Sequence, residues 1–264
     1  MAELIEIKNL KKYFHSAKGT VHAVDDVTMD IMQGETMGVV GESGCGKSTL
    51  GRTLLRLLDS DGGSIMFDGE DITGLKDKRE RFAFCQKAQI IFQDPYSSLN
   101  PRMTVEQTLR EPLVLSHKQT DELMELVGID ARIRNAYPHE LDGGRRQRVG
   151  IGRALAYNPR FIVCDEPVSA LDVSIQAQIL NLLMDLQDKR GLTYMFITHN
   201  ISVVRHISNQ ISVMYLGQLV ETSPTKGLFE NPLHPYTKAL LSAVPSANTQ
   251  KKTQRIILNG ELTS

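Results

Sequence analysis

Residues 41–48 read Gly41-Glu42-Ser43-Gly44-Cys45-Gly46-Lys47-Ser48, a G-x-x-x-x-G-K-S string. It follows the apolar run Met37-Gly38-Val39-Val40 and opens into Thr49-Leu50-Gly51-Arg52-Thr53-Leu54-Leu55, which has helical character. A strand, a glycine-rich turn and a helix in that order make a phosphate cradle. The glycines let successive N–H groups point inward, the helix N-terminus adds partial positive charge, and the lysine reaches the outer phosphates. Gly41 through Thr49 are therefore the candidate nucleotide-binding residues, with Lys47 on the phosphates and the Ser48 hydroxyl on Mg²⁺. A plain glycine-rich turn would need neither the strand before it nor the helix after it.

Outward from the cradle, the first forty residues alternate as half-buried strands do, at Leu4 to Ile7 and at Val27, Met29 and Ile31. Another strand, Ser64 to Phe67, ends at the turn Asp68-Gly69, and Gln89 to Gln93 reads as a buried strand with a polar end. From there to about Asn158 the apolar period is helical, through Val105, Leu109, Leu123, Leu126 and Val127, with Gly128 as a stop. The α/β pattern resumes at Phe161-Ile162-Val163-Cys164-Asp165-Glu166, a continuous apolar run of the kind a strand covered on both faces requires. A helix over Ser174 to Lys189, with Ile175, Ile179, Leu182, Leu183 and Leu186 inward, leads to a strand at Tyr194 to Ile197 that ends at Thr198-His199. Strand, helix, strand indicates a parallel sheet. Two more strands, Ile211 to Tyr215 and Gln218 to Glu221, turn at Leu216-Gly217, and a tail punctuated by Pro224, Pro232, Pro235 and Pro245 follows.

The 264 residues, 41% hydrophobic and 23% charged, suffice for a substantial core. A net charge of −1 and a pI near 6.7 give no global attraction to nucleic acid or anionic lipid. Met1-Ala2-Glu3-Leu4-Ile5-Glu6 lacks the basic start and apolar middle of a signal peptide, and no apolar run approaches the roughly 20 residues that span a bilayer. The expectation is a cytoplasmic chain that, if it works at a membrane, sits on other subunits. Cys45, Cys85 and Cys164 form no C-x-x-C pair. Cys85 and Cys164 read as small buried residues, whereas Cys45, beside Lys47 and a helix N-terminus, lies where a thiolate is favoured.

The acids ending the run at Asp165-Glu166 have separate uses beside a phosphate cradle: Asp165 holds Mg²⁺ with Ser48, and Glu166 orients and polarises the attacking water. Seen alone, such a pair is an ordinary solvated strand end. Gln93 is either a surface amide or a carbonyl ligand of Mg²⁺ that senses the γ-phosphate. His199 is either a turn histidine or, at the end of a parallel strand, a γ-phosphate contact.

With Leu141-Asp142-Gly143-Gly144-Arg145 placed before a helix through Ala154 and Leu155, the chain closely resembles the ATP-binding subunits of ATP-binding-cassette transporters. The resemblance covers residues 1 to about 245. It rests on the ordered cradle, a Q-loop at Gln93, the signature at 141–145, Asp165-Glu166, a D-loop Ser169-Ala170-Leu171-Asp172 and a switch histidine, His199. It implies a P-loop NTPase fold with an N-terminal antiparallel β subdomain and an inserted α-helical subdomain. The implied domains are 1–95 with 159–223, a helical insert 96–158 and an extension 224–264. It further implies two subunits sandwiching two ATP molecules, Glu166, His199 and Gln93 as catalytic residues, and Mg²⁺ held by Ser48, Gln93 and Asp165. Asp142, Gly143, Gly144, Arg145 and Asp172 then touch the ATP bound opposite, and Phe14, or its neighbour Tyr13, stacks on adenine.

Two longer strings, 92–101 and Asn231-Pro232-Leu233-His234-Pro235-Tyr236-Thr237-Lys238-Ala239-Leu240-Leu241, resemble the oligopeptide, dipeptide and nickel importer branch. That branch implies a second ATPase subunit, two transmembrane permease subunits and an extracytoplasmic solute-binding protein as partners. On physical grounds the second string is a proline-stiffened packing element. The family's signature usually has serine where Asp142 stands and glutamine where Arg145 stands. Either the carboxylate weakens the composite ATP site, or it turns toward the helix N–H groups or Arg146 while Arg145 supplies positive charge. A soluble ATPase acting on nucleic acid or chromosomes is the alternative. It is disfavoured because neither an inserted coiled coil nor a second cassette is visible. A phosphotransferase on the same cradle is disfavoured by the signature and D-loop.

Overall fold

The computed structural model describes residues 2–17, 19–112 and 117–243. In chain order these form β1 (Glu3–Ser16), β2 (Gly19–Met32), β3 (Thr36–Val40), α1 (Lys47–Leu54), β4 (Gly62–Phe67), β5 (Glu70–Asp71), α2 (Lys78–Lys87), β6 (Ala88–Ile91), α3 (Pro95–Ser98), α4 (Val105–Arg110), α5 (His117–Leu126), α6 (Gly143–Leu155), β7 (Phe161–Asp165), α7 (Val173–Arg190), β8 (Thr193–Thr198), α8 (Ile201–Ile207), β9 (Gln210–Tyr215), β10 (Gln218–Pro224), α9 (Thr225–Glu230) and α10 (Pro235–Ser242). Contacts divide the chain into two compact units, Met1–Leu75 with the residues from Met195 onward, and Lys76–Tyr194.

In the first unit β1 and β2 form a long antiparallel hairpin, and the sheet order is β2-β1-β4-β5. Ile5, Ile7 and Leu10 of β1 and Val27, Met29 and Ile31 of β2 are buried, as period-two alternation predicts. The hairpin runs further than that alternation, because Tyr13 to Ser16 pair with Gly19 to His22 while staying half-buried or exposed. A ladder without a buried face leaves no hydrophobic period to read.

The second sheet of this unit is built on β3, buried at all five residues and paired in parallel with β9, from Met37 opposite Gln210 to Val40 opposite Val213. β8 flanks β3 on its other side. β9 returns antiparallel as β10 through Leu216 and Gly217, whose φ values of 47° and 83° suit the turn that matches strand twist. Gly217 is also packed tightly: a Cβ there would lie 2.3 Å from the His22 carbonyl oxygen. Its N–H donates to the Cys45 carbonyl at 3.0 Å and its own carbonyl accepts from Asp25 N–H at 2.8 Å. The hairpin turn thereby lashes β2 to the loop that follows β3.

In the second unit β6 and β7 pair in parallel, from Ala88 opposite Phe161 to Ile91 opposite Cys164. α7 buries Ile179, Leu180, Leu183 and Leu186, and the buried Tyr194 hydroxyl donates to the Leu183 carbonyl at 3.0 Å. Ile175 and Leu182, expected inward, are half-buried. α4 opens with a capping box in which Thr104 and Gln107 satisfy each other's backbone N–H groups. Gly128 (φ 68°) follows α5 where a stop is expected. α2 is an addition to the sequence reading: it buries only Phe84, so it has no apolar stripe, and it starts because Asp77 accepts from the N–H groups of Arg79 and Glu80. Cys85 lies on it and is exposed, not buried as expected, while Cys164 is buried. Pro245 and the rest of the expected extension beyond residue 243 lie outside the described residues. Among the described residues no helix is long and apolar enough to cross a membrane.

Candidate nucleotide and catalytic site

β3 delivers the chain into the cradle, and the cradle is pressed against its own support. A Cβ on Gly41 would sit 2.1 Å from the Met214 carbonyl oxygen, and one on Gly46 would sit 1.8 Å from that of Ala23. Gly46 (φ 107°) is the N-cap of α1, a left-handed position with no side chain to bond the first N–H groups, and the first turn carries no acid. Such a helix start presents backbone donors and positive potential to an anion. Lys47 is 4% exposed. Its Nζ donates to the carbonyls of Gly41 at 2.9 Å and Glu42 at 2.7 Å and lies 3.7 Å from Cys45 Sγ, so the charge is solvated by neutral acceptors. A buried cation beside an open helix N-terminus fits a phosphate chain.

Cys45 differs from expectation. It is buried, and burial pushes its thiol above the ordinary range despite the opposing pull of Lys47. Desolvation outweighs the nearby charge because the thiolate would have to give up water to gain it.

His199 follows β8 and shares with Gly41 a cavity of about 300 Å³, also lined by Val40, Ile201 and Leu240. The first unit thus brings His199 and Gly41, the first residue of the cradle, to one cavity. It also separates the two aromatic candidates at the end of β1. Tyr13 is engaged: its ring stacks on His22 at 4.2 Å and its hydroxyl donates to Asp25 Oδ1 at 2.5 Å. That bond, more than any other influence, pushes the phenol up to about 12 and holds the Asp25 carboxyl below its usual range. Phe14 lies opposite Val21, with both side chains about 40% exposed, and Lys12 Nζ is 5.6 Å from its ring centroid. Phe14 is the open platform of the pair.

The second unit gathers the acidic pair and Gln93. β6 and β7 are in register at Ile91 and Cys164, so two residues further along each strand Gln93 meets Glu166, and Gln93 Nε2 donates to Glu166 Oε2 at 3.2 Å. Asp165 closes β7 and is 3% exposed. Glu166 takes φ 48°, a left-handed backbone costing on the order of 1 kcal/mol for such a residue. Ser169 fixes that conformation by donating its N–H (3.3 Å) and its hydroxyl (3.1 Å) to the Glu166 carbonyl. Within this unit Asp165 and the Gln93 carbonyl are hard oxygen donors of the kind Mg²⁺ takes. Among the described residues no cluster of three or more His, Cys, Asp and Glu side chains could hold a metal by itself.

The signature opens α6. Asp142 is its N-cap and accepts from the Arg145 N–H at 2.8 Å, and the Arg145 guanidinium closes on the same carboxylate at 3.4 Å. The acid that replaces serine is therefore turned into its own helix. Gly143 and Gly144 lie against the D-loop and the start of α7, where a Cβ would meet Leu171 at 3.0 Å and Ile175 at 2.8 Å respectively. Asp172 is the N-cap of α7 and makes no side-chain cap bond. One turn into α6, Arg146 donates to the Pro138 carbonyl at 2.6 Å and lies 5.1 Å over the Tyr96 ring, and Arg153 donates to the Ser98 carbonyl at 2.5 Å. α6 is thus fastened to α3, the helix just after Gln93. Sequence reasoning missed these arginine contacts, whose hydrogen-bond partners are backbone carbonyls with no residue signature.

A buried strand, a glycine cradle and a helix capped by a glycine define a P-loop nucleotide-binding protein. A profile described as ABC transporter matches residues 24–169, and one described as Oligopeptide/dipeptide transporter, C-terminal region matches residues 220–264. The chain is 52% identical to the oligopeptide transport ATP-binding protein OppF of Bacillus subtilis, over 96% of this chain and 86% of that protein. It is 48% identical to OppF of Streptococcus mutans, over 96% and 85% of the respective chains. The dimeric post-hydrolysis state of the ATP-binding cassette MJ0796 bound to ADP and Pi superposes with a TM-score of 0.77 at 28% identity, covering 84% of this chain and 98% of that one. The chain belongs to the ABC transporter family, and it is an ATPase.

Proposed function

We propose that this chain is an energy-coupling subunit that spends ATP to import peptides through membrane permease subunits. The observation that carries the reading is the near-full-length identity to oligopeptide transport ATP-binding proteins, including the stretch 220–264 that matches a region described for such transporters. The alternative of a soluble ATPase on nucleic acid has no support among these relatives, and the near-neutral net charge speaks against it.

The residues divide the chemistry. The loop from Gly41 through Thr49 holds the phosphate chain through backbone N–H groups other than that of Glu42, Lys47 turns its ammonium from the loop carbonyls to the outer phosphates, and Phe14 stacks on the base. When bound, Mg²⁺ supplies charge neutralisation on the phosphate oxygens, and Ser48, Asp165 and Gln93 are the side chains that would hold it. Glu166 orients the attacking water and takes its proton, with Gln93 steadying the carboxylate and His199 contacting the γ-phosphate. Asp142, Gly143, Gly144, Arg145 and Asp172 face the nucleotide of a second ATPase subunit. The Asp142 carboxylate is bound to its own helix and paired with the Arg145 guanidinium, so its negative charge is offset locally where the family's signature has a serine.

The subunit works at the cytoplasmic face of the membrane with a second ATPase, two permease subunits and, indirectly, an extracytoplasmic peptide-binding protein. A mildly solubilised, tagged full-length chain tests this. Recovery of hydrophobic membrane subunits and stimulation of ATPase activity by peptide-loaded binding protein are expected. Recovery of none, together with stimulation by nucleic acid, overturns the reading.

A further inference from the structure

We propose that Tyr236 is a positioning residue for the cradle, through which α10 sets nucleotide affinity. The inference rests on the assignment of the cradle as the nucleotide site. The proline-rich string that read as a packing element is clamped at its start: the Glu221 carboxylate on β10 accepts from the N–H groups of Leu233 at 2.8 Å and His234 at 2.9 Å. α10 then begins with Pro235, and Tyr236 is 4% exposed with its ring 4.4 Å from that of Tyr215. A buried phenol needs a partner for its hydroxyl. Here the Tyr236 hydroxyl oxygen accepts from the backbone N–H of Glu42 at 3.0 Å, across 194 residues of sequence.

Glu42 N–H and the Gly41 carbonyl belong to one trans peptide unit, so they point in opposite directions. Lys47 Nζ holds the carbonyl end at 2.9 Å while the Tyr236 hydroxyl holds the N–H end. When Lys47 turns toward phosphate it releases its end, and Tyr236 becomes the remaining hold on that peptide plane. Leu240 and Ala243, four and seven residues beyond Tyr236 on the same helix face, line the cavity shared by Gly41 and His199. α10 therefore both grips the cradle backbone and walls its cavity. A cradle that is fixed before the nucleotide arrives loses less freedom on binding.

The test compares the full-length chain with Tyr236→Phe, which keeps the ring on Tyr215 and removes only the hydroxyl. The measurements are binding of a fluorescent ATP analogue and amide hydrogen exchange over residues 37–48. The Kd is expected to rise about 5-fold, the typical worth of one hydrogen bond. Exchange at Glu42 is expected to accelerate, with the thermal midpoint of the nucleotide-free protein close to wild type. Glu221→Gln, which loosens the clamp before α10, moves both readouts the same way, and Leu233→Ala, at a 71% exposed position, moves neither. An unchanged Kd and unchanged exchange in Tyr236→Phe overturn the inference while leaving the nucleotide site intact. Failure of the wild-type chain to bind the analogue overturns the site itself. If Tyr236→Phe does not fold, Glu221→Gln decides on the same two readouts, and unchanged values again overturn it.

Discussion

Gln93 and Glu166, 73 residues apart, meet in a hydrogen bond because two parallel strands end in register, amide donating to carboxylate. The carboxylate assigned to orient water is thus held by the residue assigned to sense the γ-phosphate. Any displacement of the loop after β6 moves both.

Glu166→Gln keeps the shape of the side chain and removes its basicity. Hydrolysis in the assembled complex should fall by a factor of about 100 or more, the usual contribution of a general base, while ATP binding persists and a closed dimer accumulates. Phosphate release and size-exclusion profiles with ATP check this, and undiminished turnover removes Glu166 from the role of base.

Asp142→Ser exchanges one good helix cap for another, so the thermal midpoint should stay near wild type, whereas Asp142→Ala should lower stability by about 1 kcal/mol. Because the Asp142 carboxylate is taken up by Arg145, the serine variant is expected to hydrolyse ATP no faster than wild type. A large rise in ATPase rate in the assembled complex refutes this and marks the native site as a weakened one.

Phe14→Ala should weaken ATP binding roughly 10-fold through loss of base stacking. Tyr13→Phe should leave the affinity unchanged and alter only stability against alkali. The Tyr13 phenol is raised to about 12 by its bond to Asp25, so its contribution is fully present below the unfolded value near 10 and fades as pH climbs from there through about 12. Thermal melts between pH 8 and pH 12 should therefore decline less steeply in Tyr13→Phe than in wild type.

A maleimide should label exposed Cys85 first without loss of nucleotide binding, and buried Cys45 slowly, with binding lost in step. MgATP should slow the labelling of Cys45 further. Peptide mapping over time distinguishes the sites, and a Cys45 rate indifferent to MgATP places that thiol away from the nucleotide.

The strands around the cradle, the cradle itself and the acid pair were legible because each combines a periodic or invariantly spaced pattern with a function of the residue type. The exposed end of the β1–β2 hairpin and α2 were not, since neither buries a regular stripe. Cys85 was misplaced for the same reason: it lies on a charged helix whose surface-lying character no apolar period announces. The Tyr236–Glu42 bond was beyond reach because its acceptor is a side chain in a string with no chemical motif and its donor a main-chain N–H. The engagement of Tyr13 was not legible either, because its partners come from the facing strand.

The glycine cap at the start of α1 has a practical consequence at the bench. If Gly46 and Lys47 receive phosphate oxygens as proposed, sulfate and inorganic phosphate carry the same oxygens, and buffers rich in them should compete for the pocket. Affinities measured in such buffers will understate how tightly the subunit grips its fuel, and crystals grown from ammonium sulfate will tend to trap a mimic in its place.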